Sequence, residues 1–501
     1  MALVLLGLCA AKFLAGYSRT HDVSLFDETW SLVRGVELCR FNFSKLDYEP
    51  AYQLWYAGLS HLIPNRVQLF YANFFIILTL GVLLLYVLLR INRVPVAYAL
   101  AAPVIFLGST FVRILPWNAY FALTLVLGTL IGVSLLRERK NAAAGVLTLG
   151  LLLTTLVRPE FFLPSAVAVI YGVVLAIRTR QYRFLAAQLV PFLLVVLCFG
   201  LPGSRTERGW IAFQQHYALR LAHERHLAIN SWLHAPMLTD SAFPGAHSLG
   251  DALRIDAPAV VRYWGKNLYE LPGNFARLVM SPGLPHWVGW LQVALFALLV
   301  LWGLFAVRAH LRDPLTVAMG CFLLAPAVSV TVIFPRDHYL IIPCAILLAL
   351  PLIWRAHQLP TPPLALTGLL ALLLLAYTPN STRGFCLWPA VHPTPLPVRE
   401  TIATLQAVHA RRIVEIDGGY GVYLPGTHST LAFQTDRPFL PYLTVNNVDT
   451  VVVSWDMLHY DPLVQDAGFQ YFLRHYAELG YAATAVAGGK ILVLHKSAPP
   501  A

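Results

Sequence analysis

The chain has 501 residues, 57% of them hydrophobic and 12% charged, with a net charge of +11. Soluble domains carry about 25% charged residues, so this composition excludes an ordinary soluble enzyme and points to an integral membrane protein. The positive charge does not build a nucleic-acid face either, because the basic residues sit in short clusters between apolar runs.

Taken in order, Met1 to Ala15 lacks a basic leader and a convincing cleavage site, and Lys12 interrupts the run. That pattern favours a short first membrane helix over a signal peptide. Apolar runs follow at 67–89, 95–112, 119–136, 142–157, 160–177, 185–203, 286–307, 315–334, 339–354 and 362–378. The expected fold class is therefore a polytopic α-helical membrane protein with about 11 transmembrane helices. Alternate loops carry Arg90 and Arg93, then Arg137, Arg139 and Lys140, then Arg178, Arg180 and Arg183, then Arg308 and Arg312, then Arg355. Positive charge marks the cytoplasmic loops. The first loop (17–66), the stretch 204–285 and everything after Thr378 then face outward.

Within the first loop, Leu25 to Val36 reads as a short helix with Trp30, Leu32 and Val33 on one face. Pro50 opens a second, with Tyr52, Trp55, Tyr56, Leu59, Leu62 and Ile63 at helical spacing. Trp- and Tyr-rich helices at a span boundary lie in the interface plane. The loop 204–285 is long enough to be folded or functional. It carries His216, His223, Glu224, Arg225, His226 and His234, then a Gly/Pro-rich stretch and an amphipathic run through Trp264. The histidine spacing is not that of a zinc helix, so solvated or interfacial histidines are expected.

From Pro379 the chain changes character. The segment 379–397 reads as a proline-rich linker after the membrane module 1–378, and 398–501 as a small extracytoplasmic α/β domain. Its elements are a helix at 398–410, strands at Arg412–Ile416 and Asp449–Ser454, a helix at 465–479, and strands at 482–487 and 490–495. Gly418-Gly419 follows the first strand without making a dinucleotide fingerprint. Of six cysteines, Cys9, Cys198, Cys321 and Cys344 lie in apolar runs as core residues. Cys39 and Cys386 share the outer side, where an oxidising compartment would permit a disulfide.

The acids of the first loop are the candidates for chemistry. Carboxylates at the membrane boundary are costly, and Asp27-Glu28 either caps a helix start or acts as a general base. Asp47 and Glu49 either cap the helix after Pro50 or bind an acceptor. Arg158 and Arg336 fall at outer span ends, where positive charge is scarce. They anchor to headgroups or hold an anionic lipid phosphate, for which a guanidinium fork is suited. Arg113 is a weaker candidate of the same kind.

This layout resembles the GT-C superfamily of membrane glycosyltransferases, which includes protein O-mannosyltransferases, lipid A aminoarabinose transferases and the oligosaccharyltransferase catalytic subunit. The likeness rests on Phe26-Asp27-Glu28-Thr29-Trp30, on Asp47-Tyr48-Glu49-Pro50-Ala51-Tyr52, on Val157-Arg158-Pro159-Glu160-Phe161 and on Arg336-Asp337-His338-Tyr339-Leu340. It implies a polyprenyl-phosphate-linked sugar donor, an outward-facing site in a bacterial inner membrane, and Asp27 or Glu28 as base, with Asp27 favoured by position. On this reading Arg158 and Arg336 are expected to hold the donor phosphate, and Asp47, Glu49, Tyr52, Trp55 and His338 to contact substrate. The acceptor would be a glycan, lipid or protein. Relatives differ in metal use; with no second acid cluster, no cofactor or metal is expected, a divalent ion being the alternative. The rivals are a transporter or lipid-linked-sugar flippase, disfavoured by the scarcity of midplane charge and of repeats, and a non-catalytic subunit.

Overall fold

A computed structural model describes residues 2–25, 27–37, 49–110, 115–201, 208–227, 229, 231–232, 234–281, 285–378, 395–431 and 438–496. Short turns aside, the helices of the first part are α1 (Ala2–Leu14), α2 (Asp27–Val36), α3 (Pro50–Leu62), α4 (Arg66–Ile91), α5 (Val96–Gly108) and α6 (Asn118–Leu135). They continue as α7 (Lys140–Thr155), α8 (Phe162–Arg178), α9 (Arg183–Phe199), α10 (Arg208–Glu224) and α11 (Leu249–Val279). Last come α12 (His286–Leu304), α13 (Pro314–Val332), α14 (Ile341–Trp354) and α15 (Leu364–Tyr377).

Every one of the apolar runs is helical, and the chain is an integral membrane protein. Among the described residues, seven helices are long and apolar enough to cross a membrane. Val96–Gly108, Arg183–Phe199 and Ala365–Ala376 are shorter apolar helices. At about 1.5 Å per residue, the 13 residues of α5 reach only some two-thirds of a hydrocarbon core about 30 Å thick. Among the described residues these make ten apolar helices of unequal reach, one fewer than the eleven spans expected; the run 142–157 forms α7, a 16-residue helix in neither group.

The chain divides into two compact units. The larger comprises Met1–Phe13, Asn42–Tyr52 and Ile76–Leu387. Within it, buried Lys12 explains the charge in the first run: its ammonium donates to the carbonyls of Leu375 and Ala376 at 2.8 and 3.2 Å. The last carbonyls of a helix have no internal partner, so a cation there is stabilising. At the loops predicted to be cytoplasmic, Arg137 grips Asp313 with two bonds of 2.7 Å. That bidentate pair joins two loops assigned to the same side. Cys9, Cys321 and Cys344 are buried as expected, whereas Cys198 is exposed on α9; Cys39 and Cys386 lie outside the described residues.

The loop 204–285 is mostly helical. The helix α10 ends at Glu224, so His216 and His223 ride on it, while His226 turns off at φ 52°. The kink at Asp256 (φ −146°, ψ 78°) divides α11. Trp210, Phe213, Phe243, Val260 and Tyr263 form a small core between these helices.

The second unit comprises Leu14–Phe41, Gln53–Phe75 and Trp388–Ala501. It contains helix α16 (Pro397–Ala407) and a five-stranded sheet of β1 (Arg412–Glu415), β2 (His428–Leu431), β3 (Thr450–Val453), β4 (Tyr481–Val486) and β5 (Ile491–Lys496). The strand order is β2-β1-β3-β5-β4. The pairs β1–β2 and β1–β3 are parallel, and β3–β5 and β4–β5 antiparallel. Helices α17 (Phe439–Val445) and α18 (Ala467–His475) cover a core of Val414, Val451, Phe439, Phe469, Phe472 and Leu494. Strand β2 and helix α17 are additions to the elements expected from the sequence.

Candidate active site

Helix α2 begins at Asp27 and is seated from its first turn. The Thr29 hydroxyl donates to the Ser24 carbonyl at 2.8 Å. Leu32 and Val33 are buried, but Trp30 is 45% exposed beneath Arg34, whose guanidinium stands 5.7 Å from the ring. Trp30 therefore departs from the expected apolar face. Gly35 fits against helix α3, where a methyl group would stand 2.5 Å from Tyr56 Cβ. Only glycine permits that crossing, which brings Tyr56 to the face of α2 that carries Glu28. On α3, Tyr52, Tyr56 and Leu59 are buried at the predicted spacing, and Leu62 is 78% exposed.

Glu28 is 1% exposed. The Tyr56 hydroxyl donates to its carboxylate, and Asn73 Nδ2 donates at 3.3 Å. Asn73 also donates to Tyr56 Oη at 2.8 Å and accepts from Trp55 Nε1 at 2.7 Å. A buried carboxylate is stable only when its oxygens are hydrogen-bonded, and this network supplies donors from two helices. Trp55, expected at the substrate, donates its indole N–H to Asn73. Neither Asn73 nor the hydroxyl of Tyr56 was singled out by the sequence; the signal was an amide inside the apolar run of α4.

In the larger unit, Glu49 takes a left-handed conformation (φ 57°) just before Pro50 and is buried. The next turn docks onto the end of α7, with Ala51 N–H donating to Leu156 O at 3.0 Å. Tyr52 is fully buried, its ring 5.3 Å from Phe121. Arg158 is 6% exposed and holds Glu160 at 2.6 Å and Asn118 at 3.2 Å. Its guanidinium lies 5.0 Å from the Tyr339 ring and interacts electrostatically with Glu49. Arg158 is thus an internal cation and not a headgroup anchor. Glu49, Tyr52, Arg158 and the 336–340 segment meet in one region of this unit.

Arg336 is half-buried, 5.0 Å above the Trp232 ring, and precedes a short turn at Asp337–Leu340. The His338 and Tyr339 rings are tilted at 47° with centroids 4.4 Å apart, and Asp337 pairs with Arg277 at 3.4 Å. Close by, buried His216 lies flat on Phe334 at 5.2 Å, and its Nδ1 has no hydrogen-bond partner among the described residues. Burial, with Arg336 nearby, pushes its pKa down to about 3. Asp47, Arg113 and the Asp27 side chain lie outside the described residues. Among the described residues, no three His, Cys, Asp or Glu side chains gather in a metal-binding arrangement.

No family model and no curated protein matches the chain. Among solved structures it is similar to the archaeal oligosaccharyltransferase AglB from Archaeoglobus fulgidus in complex with an inhibitory peptide and a dolichol-phosphate. That match has 11% identity, covers 96% of this chain and 72% of the other, and has a TM-score of 0.45. The apo form of the Archaeoglobus fulgidus oligosaccharyltransferase matches at 13% identity, with coverage of 96% and 72% and a TM-score of 0.48. The same enzyme tethered to an acceptor peptide with the NVT sequon matches at 11%, covering 99% and 74%, with a TM-score of 0.41. All three are oligosaccharyltransferases. At these identities and TM-scores, the reaction has to be argued from this chain's own residues.

Proposed function

We propose that this protein is a membrane glycosyltransferase that moves a sugar from a polyprenyl-phosphate-linked donor to an extracytoplasmic glycan, lipid or protein acceptor. Asp27 is the general base. The observation that carries this reading is the seating of Glu28: it is buried and hydrogen-bonded by Tyr56 and Asn73, so it anchors the helix that Asp27 begins. Glu28 is then a positioning residue, and the base falls to Asp27.

The chemistry requires little more. A carboxylate takes the proton of an acceptor hydroxyl or amine as that atom attacks the sugar C1, and the C1–O bond to the lipid phosphate breaks on the opposite face. The electron pair leaves with the phosphate, and the product anomer is inverted. Arg336, half-buried and stacked on Trp232, is the better donor-phosphate ligand, because a guanidinium offers a fork to phosphate oxygens. Arg158 already serves Glu160 and Asn118, so its part is to order the region around Glu49 and Tyr52. In this reading the basic loops are cytoplasmic, the acidic pair faces the other side of the membrane, and the membrane is a bacterial inner membrane.

The test is sugar transfer by wild-type membranes supplied with a panel of labelled polyprenyl-phosphate sugars. Transfer from one donor class with inverted product configuration is expected. No transfer from any donor, or retention at C1, would overturn the proposal.

A further inference from the structure

The C-terminal α/β domain and the first outer loop meet inside the second compact unit, and their contacts converge on the segment before Asp27. In the sheet, β1 is followed by β2 on one side and β3 on the other, so the chain switches direction between β1 and β3. Open α/β sheets hold their ligands outside the carboxyl ends of the strands at such a switch point. The turn leaving β1 there is rigid: buried Glu415 accepts the N–H groups of Gly418, Gly419 and Tyr420 at 3.2, 3.3 and 3.2 Å. What lies against this turn is Leu25. A methyl on Gly419 would stand 2.7 Å from the Leu25 carbonyl oxygen and 2.9 Å from its Cα. Four residues on, buried Tyr423 donates its hydroxyl to the Ser24 carbonyl at 2.7 Å, the same oxygen that Thr29 binds from within α2.

Two outlying contacts brace the arrangement. Asp22 accepts the first N–H groups of α16, from Val398 at 2.7 Å and Arg399 at 3.2 Å, capping that helix from the first loop. Arg66 joins the Val422 carbonyl at 2.7 Å to Glu37, just past α2, at 3.0 Å.

We infer that the turn 418–423 is the positioning element for the acidic pair. The α/β domain uses the crevice in which such sheets take a ligand to grip Ser24 and Leu25, and so fixes where Asp27 and Glu28 stand. Gly419 and Tyr423 are positioning residues, acting through the backbone of Ser24 and Leu25. The inference rests on the reading of Asp27 as base.

The experiment compares wild type, Tyr423→Phe, Gly419→Ala and a surface control, Tyr471→Ala, as full chains in detergent. Hydrogen exchange of the 22–36 peptide and steady-state transfer are both measured. Removing one hydroxyl donor is expected to speed exchange in 22–36 about 5-fold and lower kcat by a similar factor. The donor KM should hold, because phosphate binding is assigned to Arg336 and not to the acidic pair. Gly419→Ala should do the same or more, and Tyr423→Phe, which keeps the ring, decides the matter if Gly419→Ala does not fold. Unchanged exchange overturns the inference whatever the activity, as does faster exchange with unaltered kcat, or a raised KM with kcat intact. Exchange needs no substrate, so absence of transfer by wild type would strike the function reading separately from the grip.

Discussion

Replacing Tyr56 by Phe removes a single O–H and leaves the ring in place. That hydroxyl donates to Glu28, which is 1% exposed and keeps Asn73 Nδ2 at 3.3 Å among its donors. A hydrogen bond to a charged group contributes about 1.5–3 kcal/mol, and water cannot readily replace this donor at so buried a site. That loss corresponds to an increase of about 10- to 150-fold in the population of the opened helix. Amide exchange of the α2 peptide in the full chain reads the quantity directly. A change of less than about twofold would refute the claim that this network holds Glu28, and Glu28 would return as a candidate base.

His216 makes the loop 204–285 sensitive to acid. Its folded pKa is about 3 against an ordinary 6.5, so between those values the unfolded chain binds a proton that the folded chain does not. Stability therefore falls as the pH drops below 6.5, by about 2 kcal/mol at pH 5; His216→Phe should flatten that slope in thermal melts, and an unaltered slope would contradict the assignment. Asp417 has the opposite sign: burial raises its pKa to about 6 from 3.8, and Ser454 donates to it at 3.2 Å. Its charge opposes folding above pH 6, and the penalty is relieved as the pH falls toward 3.8. Asp417→Asn should stabilise the α/β domain by up to about 3 kcal/mol at pH 8 and little at pH 4, as read by calorimetry; equal melting temperatures at pH 8 would refute this. Arg158→Ala strands Glu160 and should cost about 3–5 kcal/mol of stability. Arg336→Ala should instead raise the donor KM with little loss of stability, and an unchanged KM would remove Arg336 from the donor site.

The apolar runs and the basic loops were legible because membrane solvation acts on composition, residue by residue. The face of α3 at Tyr52, Tyr56 and Leu59 was legible for the same reason, through helical spacing. Strand β2 was not: His428–Leu431 has no alternating apolar pattern and is a strand only because β1 pairs with it along four residues. The reach of α5 and α9 was overestimated because Ser109 and Gly200 end those helices inside apolar sequence. Asn73 stayed hidden because one amide hardly alters a 26-residue apolar run, and its partner Glu28 lies 45 residues earlier. Asp27-Glu28 was recognisable as a pair, but the burial of Glu28 against Tyr56 and Asn73, on which the proposed division of labour rests, was not. Local pattern carries no trace of the contact between Leu25 and Gly419, some 400 residues apart.

The most direct test of the central claim compares Asp27→Asn and Glu28→Gln with wild type in sugar transfer at matched expression. Asp27→Asn is expected to lower kcat by about 10²- to 10⁴-fold with the fold intact, the range for loss of a general base. Glu28→Gln, which keeps an acceptor for Tyr56, should retain far more activity and lose stability instead. Full activity in Asp27→Asn, or a kcat loss confined to Glu28→Gln, would contradict that claim.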